Sequence, residues 1–278
     1  MKTVTSVSGG MTSAYVAANY PSDYYVFALV TTNDKKLLYP DAKLRKVVSD
    51  KIGKEFIGTL EDDIIIHTIL DLEQFIGKEI NWVVGKPFDE IIIQKDNVYL
   101  PNKTQRFCTT EMKLRPIFNW WYVNINEIVQ MQIGYRANEE RRANNMLSKV
   151  NSDGLLEFKE TFEKKNGRNK WSTIAWQKPI FPLIEHSIYK EDIVNYWNGK
   201  KVRFAIRNNC VGCFHRNPLL LKKMWNDFPD KMQWFANKEI GKSNWRSDVS
   251  YNKIKTAFSQ IDLFDDDFSD CDSGYCGL

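Results

Sequence analysis

Thr3-Val4-Thr5-Ser6-Val7-Ser8-Gly9-Gly10-Met11-Thr12-Ser13-Ala14-Tyr15-Val16-Ala17-Ala18 opens the chain, and the reading of these residues decides the fold. Thr3 to Val7 form a short β-branched run that stops at two glycines, and a helix resumes through Thr12 and Ala18. A second strand is expected at residues 25–31, then a helix over 41–51 and a strand near 55–58. This alternation predicts right-handed βαβ units around a parallel sheet. Helical patterns follow at 68–78 and 111–122, a fourth strand at 127–133, a further strand before Pro182, and a helix at residues 190–197. Residues 147–172 turn polar and glycine-containing, which predicts an insertion or mobile loop. The expected architecture is α/β: a Rossmann-like, mostly parallel sheet with flanking helices over residues 1–205. A helical, cysteine-containing C-terminal extension is expected over 206–278.

The loop between the first strand and helix is where backbone N–H groups and a helix dipole converge on an anion. Gly9 and Gly10 let the backbone approach a ligand, Met11 lies in the same loop, and Ser8, Thr12 and Ser13 add hydroxyl donors. No Gly-Lys-Ser/Thr follows, so this is no Walker A loop, and the pattern is not G-x-G-x-x-G either. A plain βα turn capped by Ser or Thr has the same local look. Arg136, after the fourth strand in Gly134-Tyr135-Arg136-Ala137-Asn138-Glu139-Glu140, suits a phosphate or sulfate because its fork donates two parallel hydrogen bonds. A surface ion pair to Glu139 or Glu140 is the competing role. Thr31, at the end of the second strand, joins the nucleotide-binding candidates.

The 278 residues carry 39 basic and 35 acidic side chains, for a net charge of +4, too balanced to announce a nucleic-acid binder. Local patches stand out instead: Arg136, Arg141 and Arg142; Lys200, Lys201, Arg203 and Arg207; and an acidic run from Asp262 to Asp272. No apolar stretch approaches the roughly 18 residues of a membrane span, so no membrane association is expected. Met1-Lys2 leads straight into a strand without an apolar h-region, so the chain reads as cytoplasmic.

In that compartment the 5 cysteines are not expected to form a disulfide framework. Cys108 stands alone, Cys210-Val211-Gly212-Cys213 is a C-x-x-C, and Cys271 and Cys276 close the chain. Four of these five thiols would make a zinc site or an iron–sulfur cluster, and ligand type admits both. Buried, inert thiols are the plainer alternative. His215 is the backup ligand. The tryptophans fit core packing better than base stacking.

Residues 8–13 resemble the PP-loop, S-G-G-x-D-S, of ATP-pyrophosphatases and phosphoadenosine phosphosulfate (PAPS) reductases, the adenine nucleotide alpha hydrolase superfamily. They depart from it at Thr12, where the family carries an acid, so a negative charge where magnesium and pyrophosphate are handled is lost. Arg106-Phe107-Cys108-Thr109-Thr110-Glu111-Met112-Lys113 is similar to the segment where adenylylsulfate reductases hold adjacent cysteines, with Thr109 in place of the second. Tyr275-Cys276-Gly277-Leu278 is faintly similar to the reductases' C-terminal nucleophile, and only the reductase reading makes Cys276 catalytic. The resemblance, closest to divergent PAPS reductase-like proteins of phages and bacteria, implies an enzyme acting on ATP or a PAPS- or APS-like sulfonucleotide. It further implies magnesium, a [4Fe-4S] cluster or zinc, and a thiol reductant or sulfur donor as partner. A nucleic-acid modifying, thiolation-type pyrophosphatase, with residues 200–207 on phosphates, and a non-catalytic nucleotide binder are the alternatives.

Overall fold

The computed structural model describes residues 1–94, 97–165, 167–241 and 243–256. In chain order the elements begin β1 (Thr3–Val7), α1 (Met11–Asn19), β2 (Tyr24–Leu29), α2 (Ala42–Ile52), α3 (Ile64–Ile76), β3 (Ile80–Val84) and α4 (Phe88–Ile91). Next come β4 (Ile93–Gln94), β5 (Asn97–Val98), α5 (Phe107–Thr109), α6 (Arg115–Asn124), β6 (Val129–Gln132) and α7 (Glu140–Leu147). The remainder is β7 (Leu156–Lys165), β8 (Arg168–Ile180), α8 (Pro182–Glu185), α9 (Lys190–Trp197), α10 (Pro218–Asp227), α11 (Pro229–Asn237) and α12 (Tyr251–Thr256).

The main sheet runs β3-β2-β1-β6-β8-β7. β1 pairs in parallel with both β2 and β6, β6 pairs in parallel with β8, and only the β7–β8 pair is shown antiparallel. The fold is therefore α/β with a mostly parallel sheet and flanking helices. From β1 the chain builds outward through β2 to β3, then returns to the other side of β1 with β6. The order reverses between β1 and β6, and in open α/β sheets the crevice at such a reversal is where ligands bind.

Two compact units share the chain. One holds Met1–Phe27, Ile69–Asn81 and Ile117–Val202; the other holds Ala28–Thr68, Trp82–Pro116 and Arg203–Leu278. These cut the sequence differently from the expected break at residue 205. In the first unit the β1 residues Val4 and Val7 and the α1 residues Ala14, Val16 and Ala17 are buried, and α1 and α9 meet through Tyr15 and Tyr196, ring centroids 4.9 Å apart. In the second, Phe88, Trp234, Phe235 and Trp245 form one aromatic core with Leu220, Leu221 and Met224 of α10. Local chemistry sets the helix ends. Asp41 accepts from the amides of Lys43 and Leu44 to start α2, Gly53 ends it at φ 67°, and proline occupies the first turn of α8, α10 and α11.

Two expectations need correction. Residues 55–58 form no strand: Gly58 only bridges Thr32, and a Cβ there would stand 2.0 Å from the Leu37 carbonyl oxygen. The strand lies at β3 instead, a short apolar run whose periodicity cannot separate strand from helix. The polar stretch 147–172 is not a loop but the end of α7 followed by most of a long hairpin, with Gly167 at φ 72° turning β7 into β8. Its root is held by rings rather than by hydropathy along the chain. Phe118 of α6 stacks on Phe158 of β7 at 4.7 Å and meets Trp176 of β8 edge-on at 5.5 Å. The tail bearing Cys271 and Cys276, the end of the extension expected over 206–278, lies outside the described residues. Among the described residues no helix is long and apolar enough to cross a membrane.

Phe118 is wholly buried at this junction. Phe118→Ala should cost about 3–5 kcal/mol in urea unfolding, and a cost under about 1 kcal/mol would show that the ring cluster does not hold the hairpin root.

Candidate functional site

The turn after β1 is built almost wholly from backbone. Gly9 sits at φ 77°, a left-handed conformation that costs other residues about 1–2 kcal/mol. Gly10, extended at φ −98° and ψ 156°, precedes α1 with no side-chain cap, and its carbonyl accepts from Ala14 N–H at 3.0 Å. The amides of Met11, Thr12 and Ser13, the first turn of α1, have no acceptor among the described residues. These N–H groups and the helix dipole face the crevice where the strand order reverses.

Ser13 does not do what its sequence position suggests. Its buried hydroxyl donates to Gly10 O at 3.1 Å and accepts from Ser8 N–H at 3.0 Å, with Ser8 Oγ also 3.0 Å away. It locks the loop rather than facing an anion. Thr12 is half-buried, with its Cγ2 toward Gly134. Met11 is partly exposed, and its carbonyl accepts from Trp197 Nε1 at 3.0 Å, tying the loop to α9.

Gly134, just past β6, closes the other side. A Cβ there would lie 3.4 Å from Thr12 Cγ2 and 3.5 Å from Ser13 N, so glycine leaves the amide uncovered. Two residues on, Arg136 adopts the competing role: its Nε lies 3.1 Å from Glu139 Oε2, and its own backbone N–H donates to the same oxygen at 2.9 Å. Arg142 binds the other oxygen of Glu139 and lies over the Tyr135 ring, 4.1 Å from its centroid. Burial pushes the Glu139 carboxyl up, but the Arg136 amide and the two guanidinium groups outweigh it and hold it below its usual value. Thr31 belongs to the second unit. Its buried Oγ1 has no hydrogen-bond partner among the described residues, and it lines a cavity of about 380 Å³ with Asn33, Lys54, Ile57, Lys86 and Pro87.

The second unit also holds Cys108, Cys210 and Cys213, none of them in a disulfide. The C-x-x-C turn is firmly built. Cys213 N–H donates to Cys210 O at 3.1 Å, Arg216 Nη2 donates to Asn208 O at 2.5 Å, and Tyr251 Oη donates to Gly212 O at 2.9 Å. A Cβ on Gly212 would fall 2.4 Å from the Phe235 ring. Burial pushes the Cys108 thiol up to about 11, with Cys213 adding to it, and burial followed by Glu61 raises Cys210 well above its usual value. His215 is pushed down to about 4 by burial and by Arg106, Lys103 and Arg246, so it is neutral at pH 7. Among the described residues no group of three or more His, Cys, Asp or Glu is arranged to hold a metal ion. The three described thiols thus do not fit a zinc or iron–sulfur centre by themselves, and Cys271 and Cys276 lie outside the described residues.

Sequence reading passed over Glu61. This carboxylate is 1% exposed, bridges Cys210 in the backbone, and accepts from Lys113 Nζ at 3.0 Å, while Oε2 has no partner among the described residues. Lys231 Nζ donates to the Glu61 carbonyl at 2.6 Å and to Asp63 at 2.7 Å. The run Glu61-Asp62-Asp63 was its only signal. Arg207, expected on phosphates, is buried beside Asp227 at 3.5 Å, and Lys200 binds the Tyr196 carbonyl and lies over its ring.

A scan of family models and searches of curated proteins and of solved structures find no match to this chain. The fold and the turn after β1 define it as an α/β protein whose first helix begins at an uncapped glycine turn beside the reversal of strand order.

Two outcomes follow. Because the folded Glu139 carboxyl titrates below its unfolded value, its stabilisation is full above the unfolded value and lost as pH falls through the folded one. The unfolding-midpoint gap between wild type and Glu139→Gln should therefore be present at pH 7 and close below about pH 4; a constant gap would mean that the ion pairs contribute nothing. Alkylation of Cys108 in the folded protein should be slow at pH 8 and rise about tenfold per pH unit toward 11, the value burial gives it. Rapid labelling at pH 7 would contradict a buried, protonated thiol.

Proposed function

We propose that the chain binds an adenine nucleotide at residues 8–13 and acts on ATP or a sulfonucleotide as a PAPS reductase-like enzyme of the adenine nucleotide alpha hydrolase type. The observation that carries this reading is the set of three acceptor-free amides on Met11, Thr12 and Ser13, raised on a positive-φ glycine turn where the strand order reverses. A polyphosphate supplies the acceptors those amides lack, and the dipole of α1 favours its charge. Gly134 keeps the Ser13 amide open, and Ser13 itself holds the loop in place.

The chain's own residues divide the work. Backbone N–H groups bind and orient the phosphates, and Thr12 Oγ1 donates beside them. Thr12 brings no charge to the cradle, so magnesium has no carboxylate at that position. Arg136 Nε is engaged by Glu139, so a ligand would meet the other donors of its guanidinium. The family's metal centre would supply electron or sulfur chemistry, and four of the five cysteines, at least one of them from residues 271 and 276, would hold it; no step here depends on it.

Titration calorimetry with ATP and with a sulfonucleotide tests the reading. Gly9→Val should weaken the nucleotide by at least about tenfold, roughly 1.4 kcal/mol, while circular dichroism stays unchanged. Equal affinity in a folded variant would remove the loop from the site. Release of pyrophosphate, or turnover of the sulfonucleotide with a dithiol reductant, identifies an enzyme; binding without either identifies a sequestering protein.

A further inference from the structure

Three loops of the second unit enclose the cavity of about 380 Å³ that Thr31 lines: residues 31–33 after β2, 54–57 after α2 and 85–87 after β3, with Glu90 of α4 beside them. Loops that follow the strands of an open α/β sheet are where such folds hold ligands, and the volume lies in the range of small-molecule sites.

The frame around this cavity is firmly built. The Asp89 carboxylate of α4 accepts from Thr32 Oγ1 at 2.6 Å, from Asn33 N–H at 2.7 Å and from Trp234 Nε1 at 3.0 Å. Phe88 N–H donates to Thr31 O at 2.8 Å, and Thr32 N–H donates to Gly58 O at 3.0 Å. A Cβ on Gly85 would stand 2.2 Å from Glu111 O, so glycine lets the wall after β3 pack against that backbone.

The polar groups lining the cavity are far less engaged than those of its frame. Thr31 is 5% exposed, and its Oγ1 has no partner among the described residues, a costly state for a buried hydroxyl. The exposed side chains of Glu55 and Lys86 make no ion pair or hydrogen bond among the described residues. Lys54 Nζ donates to Gly85 O at 3.3 Å, and Glu90 Oε1 accepts from Asn33 Nδ2 at 3.3 Å. Two cations and two anions thus line one cavity without pairing with each other.

Charge selects the occupant. A purely anionic ligand such as phosphate meets repulsion from Glu55 and Glu90, and a cation meets it from Lys54 and Lys86. A ligand carrying one group of each sign finds partners for both, and a third ionised group would upset that balance. Ile57 and Pro87 supply apolar wall for the remainder.

We propose that this cavity binds a free α-amino acid with an uncharged side chain. Its carboxylate faces Lys54 and Lys86, its ammonium faces Glu55 and Glu90, and its side chain lies against Thr31, Ile57 and Pro87. The assignment gives Thr31 to a second ligand rather than to the nucleotide, and it stands whether or not residues 8–13 hold ATP.

Titration calorimetry of the full chain with glutamine, serine and leucine tests it. At least one of the three should bind. Its amide, which lacks the carboxylate, and its N-acetyl derivative, which lacks the ammonium, should each bind at least about tenfold more weakly. K86Q and E55Q, changes at exposed positions, should each weaken the same amino acid by about fivefold or more while unfolding midpoints stay unchanged. No binding of any of the three at about 20 mM, equal binding of the amide or the N-acetyl derivative, or unchanged affinity in both variants overturns the proposal. So does competition between ATP and the amino acid for one site, which would assign the cavity to the nucleotide.

Discussion

Everything at the candidate nucleotide site depends on one constraint: the chain leaves β1 through a left-handed Gly9 and must enter α1 without a side-chain cap. A Ser, Thr or Asp cap would satisfy the first-turn amides internally. Here Gly10 stands in the cap position, and the one nearby hydroxyl that could turn inward, Ser13, is spent between Gly10 O and Ser8 N–H. The amides are left open while the loop itself is fixed. Because β1 lies between β2 and β6, that open helix end falls at the reversal of strand order.

The second unit shows the opposite economy. Around the C-x-x-C turn, donors and acceptors are closely matched, through Arg216 on Asn208 O and Cys210 O, Arg246 on Phe214 O and Arg216 O, and Tyr251 on Gly212 O. Glu61 and Asn208 break this pattern: Glu61 is nearly fully buried with one oxygen satisfied by Lys113, and its Oε2 and Asn208 Oδ1 have no partner among the described residues. Burial and then the Glu61 carboxylate hold the Cys210 thiol protonated, since each added negative charge in a poorly solvated region is costly. A metal ion would reverse that balance by stabilising thiolates, which is why the presence or absence of a centre is a question of ligand completeness rather than of these three thiols alone.

The parallel α/β character, the glycine turn and most of the helices were legible in the sequence, because β-branched runs, glycines, Asp41, Asn217 and the prolines act through their immediate neighbours. Lys190–Trp197 is helical where expected, and β6 lies within the expected 127–133. The hairpin was not legible: its distal residues are polar because both faces meet water, a pattern that composition alone cannot separate from a loop.

What the sequence determined by itself is local: where the backbone may turn left-handed, where a helix can begin, and which side chains could carry sulfur or phosphate chemistry. Tertiary structure alone decided which candidates stay available. It committed Ser13 to the loop, Arg136 to Glu139 and Arg207 to Asp227, and it buried Glu61 beside Cys210. The reason is physical: a hydrogen bond or ion pair depends on distances between residues far apart in the chain, and the period of a sequence carries no information about which partner arrives first.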